Sequence, residues 1–173
     1  MKTVTALLAG TALTLFLSSL GSVYAQDVTV SEKSFGCLRD GTRIRNTYIK
    51  NADPEKLKEA TRIFKDSVPD TEYPVGTILQ ILPGEAMVKH PGEKFPVTNG
   101  WEFFALEISE KGTQIRARGD RVVNFNGIPC MACHQPAAKF DFVCEKGHGC
   151  APVSLDDKKI AELQGADPRC PKK

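Results

Sequence analysis

Cys130-Met131-Ala132-Cys133-His134 is the stretch of this chain whose residue types and spacing can do chemistry. Two thiols three positions apart, followed at once by an imidazole, form the C-x-x-C-H pattern that attaches a c-type haem. The thiols can reach the two vinyl groups on one side of a porphyrin. The next residue then lies beneath the ring, where its imidazole can bind iron. The candidate cofactor-binding residues are therefore Cys130, Cys133 and His134, with His134 as metal ligand and one covalent haem c as cofactor. Three other readings compete. Cys130 and Cys133 with Cys144 and either His148 or Cys150 could bind zinc. A thioredoxin-like redox pair needs a βαβ unit around it, and nothing here has that pattern. A plain disulfide framework is the third.

The elements that must position this motif are mostly strands. From Tyr73 onward the apolar period is short and Pro-Gly turns recur. Thr77 to Leu82, Ala86 to Lys89, Trp101 to Ile108, Thr113 to Arg118 and Arg121 to Phe125 make an antiparallel meander of four or five strands. Val28 to Val30 could add one short strand. Asp53-Pro54 opens a helix with Asp as cap and Pro at its first position, and Leu57, Ala60, Ile63 and Phe64 give it one apolar face as far as Asp66. A last helix begins at Ser154, with Asp157 completing a capping box, and stops at Gly165. The expected fold is mainly β (α+β), an antiparallel meander or sandwich with a few flanking helices. No repeat or linker divides it.

Lys2 is followed by an apolar run from Val4 to about Leu20 and then by small residues, Val23 and Ala25 among them. This reads as a signal peptide, residues 1–25, cleaved after Ala25, leaving residues 26–173 as one exported haem-binding domain. The expected location is the periplasm, with no membrane span after cleavage. Disulfides persist there. Of the four cysteines outside the motif, Cys144 and Cys150 enclose a short loop with two glycines, so they are the favoured pair, which leaves Cys37 with Cys170. The formal net charge is only +2, so a nucleic-acid partner has no electrostatic footprint. At 41% apolar and 25% charged residues, the chain is neither disordered nor fibrous.

The position of the motif narrows the kind of haem protein. No methionine follows His134, and the strand-like middle of the chain does not supply four long amphipathic helices. Tyr73-Pro74-Val75-Gly76-Thr77-Ile78, Trp101-Glu102-Phe103-Phe104, Cys130 to His134 and Phe140-Asp141-Phe142-Val143 together resemble the cytochrome P-460 family and its β-fold relatives, the cytochromes c-prime-beta. The resemblance implies a compact antiparallel β domain, often a homodimer, with His134 as proximal ligand. It also implies an open distal iron for a small nitrogenous ligand or substrate, hydroxylamine or nitric oxide. An unidentified redox partner would exchange electrons with it. The enzymes of that family carry a lysine cross-linked to the porphyrin and a distal carboxylate. Here the strand after Gly76-Thr77 has no lysine, and Lys89 is the nearest. Glu102 and Glu107 are the carboxylates on a strand that could face the haem. Lys89 and Glu102 are thus the catalytic candidates. The bland reading makes Lys89 a solvated strand-end residue and both glutamates surface charges.

Met87, His90 and His148 could each be a sixth ligand, which would make the protein an electron carrier. His90 beside Pro91-Gly92 and His148 in its cysteine-bounded loop read as exposed, and Met87 reads as core. The expectation is five-coordinate ferrous iron, its distal face covered by side chains such as Leu79, Ile81 or Phe103. A non-catalytic nitric oxide binder is the remaining alternative. Arg116 or Arg118 could pair with a haem propionate. Trp101, Phe103, Phe104, Phe125, Phe140 and Phe142 read as lining the core and haem pocket.

Overall fold

The computed structural model describes residues 27–172; the expected signal peptide and its cleavage point lie outside them. Six strands form one antiparallel sheet in chain order: β1 (Thr42–Ile44), β2 (Thr47–Lys50), β3 (Ile78–Gln80), β4 (Glu85–Lys89), β5 (Trp101–Ser109) and β6 (Gly112–Gly119). Three α-helices accompany it: α1 (Pro54–Asp66), α2 (Cys130–His134) and α3 (Asp157–Gly165). The α+β class and the meander are as expected from the sequence.

Both faces of the sheet are covered, and the alternation along its strands explains how. Ile49, Leu79, Met87 and Phe103 are register partners across β2, β3, β4 and β5. This row packs against Ala60, Ile63 and Phe64 of α1, with Tyr73, Trp101, Val122 and Val143. Ala86, Val88, Phe104 and Leu106 point to the other face. There they meet Val30 and Phe35 of the N-terminal segment. Burial on both sides is why β5 reads as an almost unbroken apolar run.

Helix α1 starts where its cap chemistry dictates. The Asp53 carboxylate accepts from the amides of Glu55 and Lys56, and Ser67 ends the helix in the left-handed region. Helix α3 is capped by Asp156, not Ser154, whose position lies ahead of the helix; Asp156 accepts from Lys159 N at 2.7 Å. Three further expectations need correction. Val28 to Val30 is not a strand but a connecting segment whose Val30 side chain packs on the sheet. Arg121 to Phe125 is not a strand either. Asn124 closes a tight turn there, its side-chain oxygen accepting from the amides of Asn126 and Ile128, and only a Val123–Pro129 bridge remains of the pairing. Conversely, β1 and β2 lie in a segment that shows no clear period in the sequence.

Two disulfides join Cys37 to Cys170 and Cys144 to Cys150, the pairing favoured from spacing, and they agree with an oxidising, exported location. Among the described residues, no helix is long and apolar enough to cross a membrane.

Candidate functional site

The chain enters the motif through the Asn124 turn and Pro129. Cys130 N donates to Val122 O at 2.9 Å, and Ala132 N to Pro129 O at 2.9 Å, which starts α2 at the first cysteine. On a helix, positions i, i+3 and i+4 share a face. Cys130, Cys133 and His134 accordingly all line one cavity of about 280 Å³, walled by Leu79, Met87 and Phe103 of the sheet and Phe64 of α1. Residues 124–128 and 151–155 form its mouth. Cys130 and Cys133 are the free cysteines; they are not joined to each other. Burial, with the Glu85 carboxylate and Cys133 adding to it, pushes the Cys130 thiol up to about 11.

His134 is oriented from behind. Its Nδ1 lies 2.7 Å from Phe142 O. A carbonyl only accepts, so Nδ1 carries the proton and Nε2 keeps its lone pair for a metal. Burial pulls the imidazole below its ordinary pKa, with the Phe142 carbonyl opposing, so the neutral ligand form is favoured. Phe103 packs on the ring, centroids 4.9 Å apart. The accepting carbonyl belongs to an unusual turn. Asp141 and Phe142 are consecutive left-handed residues, φ 53° and 59°. Without glycine, each costs about 1–2 kcal/mol, so the surroundings must enforce them.

The polar lining of the cavity was not legible in the sequence. Thr47 Oγ1, Gln80 Oε1 and Glu85 Oε1 are enclosed and have no hydrogen-bond partner within the protein. Burial raises the Glu85 carboxyl above its ordinary value, the Phe125 amide opposing weakly. Two free thiols and an imidazole whose Nδ1 is already engaged, lining one largely apolar-walled cavity, are a donor set that a covalently attached haem could use. The residues fit that group.

The two catalytic candidates do not line this cavity. Lys89 is not a solvated strand-end residue. It is 2% exposed, and its Nζ lies 2.8 Å from both carboxylate oxygens of Asp141. Glu102 is not a surface charge. It points away from the cavity face and binds His90 Nε2 at 2.9 Å and Arg118 Nε at 2.6 Å. Burial pushes Glu102 upward, but these partners outweigh it and hold the carboxyl below its ordinary value. Glu107 is exposed as expected.

Among the sixth-ligand candidates, His90 is wholly buried, not exposed, in that contact with Glu102. His148 is also buried. Its Nδ1 bonds Val143 O at 2.6 Å, and its ring stacks on Phe140 at 3.7 Å. Met87 alone of the three lines the cavity. Phe125 stands 71% exposed at the mouth and is not core. Arg118 serves Glu102, and Arg116 is exposed beside Glu107. The Cys144–Cys150 disulfide withdraws both sulfurs from the zinc reading. No cluster of three or more His, Cys, Asp or Glu able to hold a metal ion occurs among the described residues, and a haem with one axial histidine needs none. No family model, curated protein or solved structure matches the chain.

Proposed function

We propose that the protein is an exported mono-haem c-type cytochrome, of the cytochrome P-460 or c-prime-beta kind, that binds or turns over small nitrogen species at an open iron position. The observation that carries this reading is the convergence of Cys130, Cys133 and His134 on one cavity, with His134 Nδ1 engaged by Phe142 O so that Nε2 is left for a metal. Cys130 and Cys133 would hold the porphyrin through thioethers, and His134 would supply a nitrogen ligand to its iron. The iron would supply a ligand-binding and electron-accepting centre. Glu85, the carboxylate inside the cavity, takes the place foreseen for Glu102 as proton acceptor from a protic ligand such as hydroxylamine. Lys89, engaged by Asp141, is unsuited to a porphyrin cross-link.

Met87 on the cavity wall favours a second reading, an electron carrier with a six-coordinate haem. One set of measurements on the purified exported protein separates the readings. Haem staining after a denaturing gel should show haem migrating with the chain. The ferrous absorption spectrum should be high-spin and should respond to nitric oxide or carbon monoxide at once. Hydroxylamine-dependent reduction of an artificial acceptor should fall at least tenfold in Glu85→Gln if the protein is an enzyme. Haem extracted by acid acetone overturns the whole reading. A low-spin spectrum that turns high-spin in Met87→Ala establishes the carrier instead.

A further inference from the structure

The Lys89–Asp141 pair lies outside the cavity, and the site as described gives it no task. Its construction is elaborate. Lys89 Nζ also donates to Asn99 O at 2.6 Å, and Asn99 Nδ2 donates to Asp141 Oδ1 at 2.8 Å. The amide of Tyr73 donates to Asp141 Oδ2 at 2.8 Å. The face of Trp101 lies 5.4 Å from the ammonium. Every donor around this carboxylate comes from elsewhere in the chain: β4, the Asn99 turn before β5, and the connecting segment at Tyr73. Buried ion pairs are a weak source of net stability compared with an apolar pair of the same volume. What this one does is fix a position.

That position is the turn behind His134. Asp141 and the next residue, Phe142, both take left-handed conformations, and Phe142 O is the acceptor for His134 Nδ1. Short local bonds, Asp141 N to Ala138 O and Phe142 N to Ala137 O, close the turn but do not tie it to the sheet. The Asp141 side chain does. We propose that Lys89 and Asp141 are positioning residues: their ion pair clamps the turn to β4 and so sets the tautomer and rotation of His134. This rests on the haem reading for its consequence at iron, but not for its effect on the imidazole. A carbonyl held at 2.7 Å from Nδ1 fixes the tautomer and makes Nε2 a stronger donor. Releasing the turn weakens both.

The test uses the exported holoprotein and three variants. Lys89→Arg keeps the pair. Asp141→Asn keeps the shape and removes the charge. Lys89→Met with Asp141→Leu replaces the pair by apolar side chains and guards against simple unfolding of the single variant. The ferrous iron–histidine stretch in resonance Raman should shift to lower frequency in Asp141→Asn and in the double variant, with a rise in midpoint potential, while haem stays covalently attached. Lys89→Arg should keep the wild-type stretch. In parallel, ¹⁵N NMR should show a protected Nδ1–H on His134 in the wild type and its loss in the double variant. If wild type carries no haem, the functional reading fails, and the NMR result alone then decides the positioning role. A folded double variant with an unchanged stretch, potential and Nδ1–H signal overturns the proposal.

Discussion

Glu85 shows what half-burial of a single residue does to the energetics of a site. Its carboxyl is raised above 4.5 because burial penalises the charged form. A carboxyl raised on folding adds stability below its unfolded pKa and loses it as pH rises through the folded value. The sign follows for Glu85→Gln. At pH 4 the variant should unfold at nearly the wild-type urea concentration. As pH climbs past the folded pKa, the variant should become the more stable of the two. A constant offset across pH would show that Glu85 is solvated in the fold. Its placement could not be read from sequence, because a glutamate just after Pro83-Gly84 looks like turn chemistry open to water. It shares its cavity with Asn124, Phe125, Asn126 and Ile128, which arrive from about forty residues downstream. The same holds for Lys89 and His90, whose partners Asp141 and Glu102 are distant in the chain or on the neighbouring strand. That Cys130, Cys133 and His134 share one cavity was legible, because positions i, i+3 and i+4 of a short helix fall on one face.

At the scale of elements, the legible ones carry their own signals. Helix α1 has a cap, a proline and a 3.6-residue period within thirteen residues. Replacing Asp53 by Ala should cost about 1 kcal/mol, read as a lower thermal midpoint. The β4–β5 connection depends on something less visible. Gly100 has φ +85°, and a Cβ there would sit 2.3 Å from His90 O. Neither the backbone angle nor the neighbouring carbonyl can yield cheaply, since His90 N also donates to Gly100 O at 2.8 Å. Gly100→Ala should therefore destabilise the protein by about 2 kcal/mol or more, measured by urea unfolding. A loss under 0.5 kcal/mol would mean that the connection relaxes freely. The short strands β1 and β2 gave no such local signal. Their three or four residues are strands because β3 pairs with β2 and β2 in turn pairs with β1, and Gln164 of α3 fastens their turn by donating to Asn46 O and Ile81 O.

The described fold is a sheet covered on one face by α1 and on the other by the N-terminal segment, and the two disulfides act on it differently. Cys37–Cys170 closes a loop with a sequence separation of 133, whereas Cys144–Cys150 closes one of 6. Around the long bridge the native contacts stand without the sulfur. Leu38 N donates to Asp167 Oδ2 at 3.0 Å, and Arg169 joins Asp167 at 2.8 Å and Phe35 O at 2.9 Å. Loss of that bridge thus leaves the folded state nearly as it is and frees the unfolded chain. The chain-entropy treatment assigns about 5 kcal/mol to the long loop and about 2 kcal/mol to the short one. Changing Cys37 and Cys170 together to Ser should lower the urea midpoint more than the same change at Cys144 and Cys150. It should also raise the urea m-value, because the unfolded state exposes more surface once its ends are released. The short bridge adjoins the cavity, with Cys144 in its lining and Cys144 Sγ 3.4 Å from Cys133 O. If the chain carries the proposed haem, removal of the short bridge should register in the ferrous spectrum, whereas removal of the long bridge should leave that spectrum unchanged. Equal losses of stability, with m unaltered in both variants, would show that the bridges act through native contacts and not through the unfolded chain.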